Sequence, residues 1–145
     1  MKIKRSIVCI ILAVVLCISC VVIVGAVEPK ASLYLDSYDG YVVAKGNGEV
    51  EIWFEVYGTR TMTQIGAQAI VLQEKLAGSS TWRTVANYNY ADYDNMMGGG
   101  NTYHINHVDY EGVAGASYQA YITIWAGNNN GGDSRNITTE VELAY

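Results

Sequence analysis

The strongest constraint on this chain is an alternation of apolar and polar residues with a period of two. The segment "EVEIWFEVYG" places Val50, Ile52, Phe54 and Val56 at every second position, with Glu or aromatic residues between them. A β-strand points successive side chains to opposite faces, whereas a helix would mix the two sets. The alternation therefore predicts a strand with one buried face and one solvent-facing side.

Two segments near the C-terminus repeat this alternation. The predicted buried residues of the first are Tyr118, Ala120, Ile122 and Ile124. The predicted buried residues of the second are Ile137, Thr139, Val141 and Leu143. The segment "GNNNGGD" between them is rich in Asn and Gly, which tolerate the positive φ angles of tight turns. It therefore predicts a loop joining the last two strands.

Several shorter segments predict further strands. Residues 32–35 and 41–45 predict two short edge strands around a "YDG" turn, and residues 67–75 predict an inner strand because they are apolar on both faces. Residues 81–86 and 102–108 predict two more. Short strands separated by turn residues indicate an all-β chain, a single antiparallel sandwich of about seven to eight strands.

The N-terminal segment predicts a secretory signal peptide rather than part of this sandwich. Basic residues stand within the first five positions, residues 7–24 form an uncharged run of 18, and small residues precede Val27. This layout indicates a signal helix, residues 1–26, removed after Ala26. The protein is therefore expected to be secreted.

Two other interpretations of this segment stay open. Residues 7–24 are long enough to remain as an anchor in the cell membrane. Lipid attachment at Cys20 is the third, although Cys17 stands where lipoprotein signals usually carry Leu and the residues after Cys20 are very apolar. The rest of the chain is exported in all three cases, and contact with a membrane would come only through this segment.

Residues 27–145 are predicted to form one domain. Removing 26 of the 145 residues leaves 119, enough to bury a core without staples. All three cysteines lie in the leader, which excludes thiol catalysis and cysteine metal sites from the domain. Six basic and 14 acidic residues remain, a net charge of −8. Nucleic acid is therefore not an expected partner, because binding it requires a basic face.

Two local patterns resemble immunoglobulin and fibronectin-III-like modules of small secreted Gram-positive proteins, many of them of unknown function. In "GASY" a tyrosine, Tyr118, starts the penultimate strand, and in "LQEKLAGSSTWRTV" Trp82 opens a strand after a polar turn. The resemblance implies an immunoglobulin-like sandwich in which the Tyr118 hydroxyl turns back onto the preceding loop. It implies that Trp53 and Trp125 lie on different sheets, and it implies no catalytic residue.

The outward face of the penultimate strand is the first candidate contact surface. Tyr121 and Trp125 lie there, and exposed aromatic rings can stack on sugars or on partner proteins. Outward rings also pair across strands and shield the backbone, and the sequence favours this structural role. Trp53 and Tyr57 add outward rings on the earlier strand.

The segment of residues 87–101 is predicted to be the longest irregular stretch and is the second candidate. Tyr88, Tyr90 and Tyr93 alternate there with Asn and Asp, a composition that suits a recognition loop. Its Asp and Asn oxygens could also bind calcium, but their spacing does not complete a helix–loop–helix calcium loop. The sequence favours solvated turn residues and leaves calcium open.

The residues needed for catalysis or for a metal centre do not form a recognisable pattern. His104 and His107 are three apart on a strand, so they should face opposite sides and cannot share a metal. Ser117 and Ser134 lack a nucleophile elbow, and the Glu residues of "EVEIWFEV" indicate a solvated strand face. We therefore expect no enzyme activity, no cofactor and no metal site.

The sequence thus favours a secreted, non-catalytic binding or surface module whose ligand is an extracellular glycan or protein. One alternative is a small secreted enzyme or enzyme inhibitor with a site built from loops. A pocket holding His104 or His107 beside a carboxylate would favour that alternative. The other is a membrane-anchored accessory protein.

Overall fold

The computed structural model describes residues 32–145. These residues form one compact unit, while the predicted signal peptide and its helix lie outside the described residues. The described part consists of strands and their connections and contains no helix, which confirms the all-β prediction for it. Within residues 32–145, therefore, no helix has the length and apolar character to cross a membrane.

Nine antiparallel strands make up the described part of the chain, seven of them long and two of only two residues. They are β1 Leu35–Gly46, β2 Glu49–Met62, β3 Gln64–Lys75, β4 Arg83–Asn89, β5 Met97–Gly98, β6 Asn101–Glu111, β7 Ser117–Asn128, β8 Gly131–Thr138 and β9 Glu142–Leu143. One sheet, the β2 sheet, has the order β1-β2-β6. The other, the β7 sheet, has the order β4-β3-β7-β8, with β5 beside β3 and β9 beside β7.

The two sheets pack face to face around one apolar core, as expected for a sandwich. Ile52 and Phe54 of β2 and Ile122 and Ile124 of β7 are at most 1% exposed, which confirms the predicted alternation. Residues from both sheets belong to the same buried cluster. Burial of each such side chain contributes about 1.5–3 kcal/mol, so this core is the main source of stability.

The predicted "YDG" turn is wrong, because β1 runs unbroken through it. Gly40 pairs with Phe54 in the middle of the β1–β2 ladder. A Cβ atom at Gly40 would lie 2.7 Å from Cδ1 of Ile122 on the opposite sheet. The glycine therefore serves the close approach of the two sheets rather than a turn.

The predicted last strand is interrupted, and two of its predicted core residues are exposed. β8 ends at Thr138. The amide of Thr139 then donates a hydrogen bond to the carbonyl of Ala120, and the hydroxyl of Thr139 accepts one from the amide of Ala120. The chain resumes pairing with β7 only at β9. Val141 and Leu143 are consequently 52% and 59% exposed, so their predicted burial is wrong.

The irregular segment is shorter than the predicted 87–101. β4 continues to Asn89 and β5 begins at Met97, which leaves residues 90–96 as the loop. Met96 is buried in the core, and its carbonyl accepts a hydrogen bond from the amide of Ala67. The side-chain amide of Asn95 donates to the carbonyl of His107, so this loop is tied to both sheets.

A buried polar network holds the start of β7. The hydroxyl of Tyr118 accepts a 2.8 Å hydrogen bond from the amide of Val113 and donates a 2.6 Å bond to Glu74. This confirms the predicted return of the hydroxyl onto the preceding loop. Glu74, only 1% exposed, also accepts a 2.9 Å bond from Nε of Arg83. The network thus joins β3, β4 and β7.

The charge state of this network follows from its surroundings. Burial raises the pKa of Glu74, but the hydrogen bonds from Tyr118 and Arg83 outweigh it and hold that pKa below its ordinary value. Burial, together with the bond to Glu74, raises the pKa of Tyr118 to about 12. Glu74 is therefore an ionised carboxylate, and Tyr118 is a neutral donor at physiological pH.

We expect Tyr118→Phe to lower the free energy of unfolding by about 2 kcal/mol, because a buried carboxylate and a backbone amide each lose a partner. Urea unfolding measures this. Tyr121→Phe, on the outward face of the same strand, is the control and should change stability by less than about 0.5 kcal/mol. Equal effects of the two substitutions would show that the hydroxyl network contributes nothing.

We expect Glu74→Gln to destabilise the protein at pH 7 and to cost progressively less as the pH falls below about 4. The folded-state pKa of Glu74 is lowered, so its contribution is present above the unfolded pKa and is lost as the pH falls through the folded one. Urea midpoints at pH 7 and pH 3 test this. The exposed Glu140→Gln is the control, and a pH-independent loss for Glu74→Gln would contradict the assignment.

Candidate functional site

The outward face of the β7 sheet carries aromatic and neutral polar side chains. Two rows of paired residues cross its four main strands. The residues of the two rows are Asn87, Val71, Tyr121, Thr138, Asn89, Ala69, Thr123 and Asn136. None of these eight is charged. This neutral surface can therefore offer hydrogen bonds and ring contacts without attracting ions.

Trp125 lies on this face, and its ring lies over two glycines. A Cβ atom at Gly127 would lie 2.9 Å from the indole ring, and one at Gly132 would lie closer still. These two glycines pair across the β7–β8 hairpin, so both stand directly under the ring. The indole therefore lies along the sheet over these two glycines, and Trp125 is half-buried.

The "GNNNGG" segment both forms the hairpin turn and makes room for the Trp125 ring. The predicted hairpin is confirmed, since β7 ends at Asn128 and β8 starts at Gly131. Gly131 has a positive φ of 139°, as a turn glycine would. Gly127 and Gly132 are instead required by the space that the Trp125 ring occupies. Turn propensity alone could not predict that.

Tyr121 extends the same face along β7. Its ring is 40% exposed and stands four residues before Trp125, about 13 Å away along the strand. Between them the hydroxyl of Thr123 donates a 3.0 Å hydrogen bond to Asn136. The structure thus brings the two predicted rings onto one surface, with polar groups between them.

The predicted tyrosines of the 87–101 segment lie elsewhere. Tyr88 is only 8% exposed, and its hydroxyl donates to the carbonyl of Asp109 on β6, across the open edge of the sandwich. Burial raises its pKa to about 12. Tyr93 packs edge-on against Tyr88 at 5.1 Å. Tyr90 and Tyr93 remain exposed, but within residues 32–145 no ring pair joins them to Tyr121 or Trp125.

The outward face of the β2 sheet has a different chemistry. Tyr41, Trp53 and His107 stand in one row across its three strands. Tyr41 stacks on Trp53 at 6.2 Å with an interplanar angle of 9°, and His107 stacks on the other side at 4.5 Å and 27°. Trp53 therefore has a neighbouring ring on each side within this row. Trp53 and Trp125 do lie on different sheets, as the resemblance implied.

Carboxylates surround this aromatic row. Glu51 accepts a 2.8 Å hydrogen bond from Nε1 of Trp53, and its other oxygen lies 2.8 Å from Lys45. Those two bonds hold the pKa of Glu51 below its ordinary value. Nε2 of His107 lies 4.0 Å from Glu51 and 3.6 Å from Asp109. Sequence reasoning missed this group because it depends on the register of three strands.

The two histidines face opposite sides of β6, as predicted. His104 points inward, where its ring lies 5.8 Å from that of Phe54 and its Nε2 is 2.8 Å from the carbonyl oxygen of Asn95. His107 points outward. Beside the His107 group is a depression of about 270 Å³ whose lining residues do not include either histidine. It is lined by Lys45, Glu49, Val50, Glu51, Asp109, Tyr110 and Glu111.

Comparison with known proteins identifies no family. No protein-family model matches the chain, and no curated protein matches it. Among solved structures it is similar to Spo0M, a sporulation control protein from Bacillus subtilis, at 12% identity and a TM-score of 0.38, covering 73% of this chain and 49% of Spo0M. It is also similar to a family 76 glycoside hydrolase from a bovine Bacteroides thetaiotaomicron strain, at 15% identity and a TM-score of 0.31.

These similarities do not assign a function. The match to the glycoside hydrolase includes 76% of this chain but only 20% of the hydrolase. The chain likewise spans about half the length of Spo0M. Neither TM-score reaches 0.5, so neither structure supports an argument about what this chain does.

We expect Gly132→Ala to lift the Trp125 ring away from the sheet, because the added Cβ needs the space of the indole. In a background with Trp53 and Trp82 replaced by Phe, acrylamide should quench the remaining tryptophan fluorescence more strongly. Asn130→Ala, at the tip of the same hairpin, is the control and should leave quenching unchanged. Identical quenching in both variants would mean that the ring does not rest on Gly132.

Proposed function

We propose that the chain is an exported, non-catalytic binding module that recognises neutral glycans through the outward face of β3, β7 and β8. The observation that carries this proposal is the Trp125 ring lying over Gly127 and Gly132 on the outward side of β7, where the residue is half-buried. Tyr121 on the same strand supplies a second exposed ring.

The chemistry of the face supports a sugar ligand. Sugar rings present apolar C–H surfaces that stack on aromatic planes, and an indole already fixed on the sheet loses little entropy on binding. Thr123 and Asn136, between the rows of the two rings, can exchange hydrogen bonds with hydroxyl groups. Because the eight residues of the two central rows are uncharged, they offer a charged ligand no ion pair, which favours neutral glycans over acidic ones.

An immunoglobulin-like classification is part of the proposal. If β1, β2 and β6 are strands A, B and E, then β3, β7 and β8 take the places of C, F and G in that fold. The hydroxyl bond from Tyr118 to the preceding loop supports the same assignment, as it is typical of strand F.

Export is likewise proposed from the leader. The basic start, the uncharged run of residues 7–24 and the small residues before Val27 support secretion. If residues 7–24 are retained, the module would be held at the outer surface of the membrane and the glycan-binding face would serve the same purpose.

The arrangement around His107 bears on the enzyme alternative. His107 does lie beside Glu51 and Asp109, as that alternative requires. However, the group stands on an open sheet face, and the Asp109 side chain is 78% exposed. Catalytic groups usually act in a cleft that excludes water, so this geometry supports binding better than catalysis.

We expect Trp125→Ala to weaken glycan binding at least tenfold, which corresponds to about 1.4 kcal/mol of stacking. An array of neutral oligosaccharides (glucans, mannans and chitin fragments) and of sulfated and uronate-containing glycans would identify the ligand, and titration calorimetry would give the affinity. Trp53→Ala, on the other sheet, is the matched control and should bind as the wild type does.

Two outcomes would contradict the proposal. One is a wild-type protein that binds no glycan on the array, or only the charged ones. The other is an equal loss of affinity for Trp53→Ala and Trp125→Ala when both variants give wild-type circular dichroism spectra.

A further inference from the structure

The outward face of the β2 sheet gathers three possible metal ligands at one point. Glu51 of β2 and His107 and Asp109 of β6 each offer one ligand atom, and these atoms all lie within 4.8 Å of one another. Glu51 and Asp109 are paired residues of the two strands, and His107 precedes Asp109 by two positions on the same face. The regular ladder therefore brings the three together without any special loop.

Neighbouring contacts orient two of these ligands. The Trp53 ring supports the imidazole of His107 at 4.5 Å, and its Nε1–H holds Oε2 of Glu51 at 2.8 Å. The other oxygen of Glu51, Oε1, is thereby left facing Nε2 of His107. A single tryptophan thus fixes one imidazole and one carboxylate toward a common point, as outer contacts do in metal sites.

The spacing suits a small ion. Ligand atoms bound at 2.0–2.2 Å around a tetrahedral ion lie about 3.3 Å apart. Nε2 of His107 is 3.6 Å from Asp109 and 4.0 Å from Glu51, so small side-chain rotations would close the site. One imidazole with two carboxylates selects a transition-metal ion such as Zn²⁺, whereas Ca²⁺ prefers oxygen ligands alone.

The ion pair between Lys45 and Glu51 shows that a positive charge is already bound at this group. Its ammonium lies 2.8 Å from Oε1 of Glu51, the same oxygen that faces His107. Glu49 and Glu111 line the adjacent depression together with Lys45, so the carboxylates outnumber the ammonium group. A divalent ion would compete with Lys45 for Glu51, and the exposed lysine side chain is free to move aside.

We propose that Glu51, His107 and Asp109 form a site for a divalent transition-metal ion, with Zn²⁺ as the ion to be tested. The ammonium group of Lys45 would compete with this ion for Glu51. The site lies on the sheet opposite the glycan-binding face and does not rest on the proposed function. Zn²⁺ bound there would add positive charge to a face that carries Glu49, Glu51, Asp109 and Glu111.

Titration calorimetry of ZnCl₂ into the full chain tests the proposal. The protein is kept in mild detergent, carries no histidine tag, and has its leader thiols alkylated, because Cys9, Cys17 and Cys20 would otherwise bind Zn²⁺. We expect one equivalent to bind to the wild type and the affinity of His107→Ala to fall at least tenfold. Lys45→Met should instead bind several-fold more tightly.

His104→Ala is the matched control, because His104 lies on the same strand but points inward. It should bind Zn²⁺ as the wild type does, and so should Trp125→Ala. Asp109→Asn gives a second test if His107→Ala does not fold, since the Asp109 side chain is exposed and supports no packing. It should also lose at least tenfold in affinity.

Several results would overturn the proposal. One is that Zn²⁺ binds neither to the wild type nor to Lys45→Met. Another is Zn²⁺ binding that survives both His107→Ala and Asp109→Asn. An equal loss in folded His104→Ala would place the ion elsewhere. Binding of CaCl₂ in preference to ZnCl₂ would show that the imidazole is not a ligand.

Discussion

The burial of one face of each sheet in a shared core is the constraint on which the rest of this structure depends. Once Ile52 and Phe54 of β2 and Ile122 and Ile124 of β7 are buried, the residues between them must face outward. Each sheet therefore presents its aromatic and polar residues to solvent at fixed intervals. Gly40 allows the two sheets to approach, and the Tyr118–Glu74 bond fixes the start of β7.

The same constraint gives the two outward tryptophans opposite surroundings. Trp53 has in-register neighbours on both sides, so its ring stands between those of Tyr41 and His107. Trp125 instead lies over two glycines near the end of β7, and we propose that its ring contacts the ligand. We therefore propose different ligands for the two faces: a sugar for the β7 sheet and a cation for the β2 sheet.

Sequence periodicity predicted the core, the all-β class and the outward position of Trp125, because all of these follow from which residues alternate. It could not predict the group of Glu51, His107 and Asp109, since strand register depends on pairing between distant segments. The same limit hid the burial of Tyr88, which reaches across the sandwich to β6. Local turn chemistry misled at Gly40, where a glycine required by sheet packing resembled a turn residue.

The exposure of the two tryptophan rings tests the central claim most directly. Photo-CIDNP NMR of the full chain, with the tryptophans assigned by substitution, reports which indole rings a dissolved flavin can touch. We expect a strong signal from Trp125, the ring proposed to contact the ligand, and a weak one from Trp53, which stands between Tyr41 and His107. A strong Trp53 signal together with a silent Trp125 would contradict the assignment of the two faces.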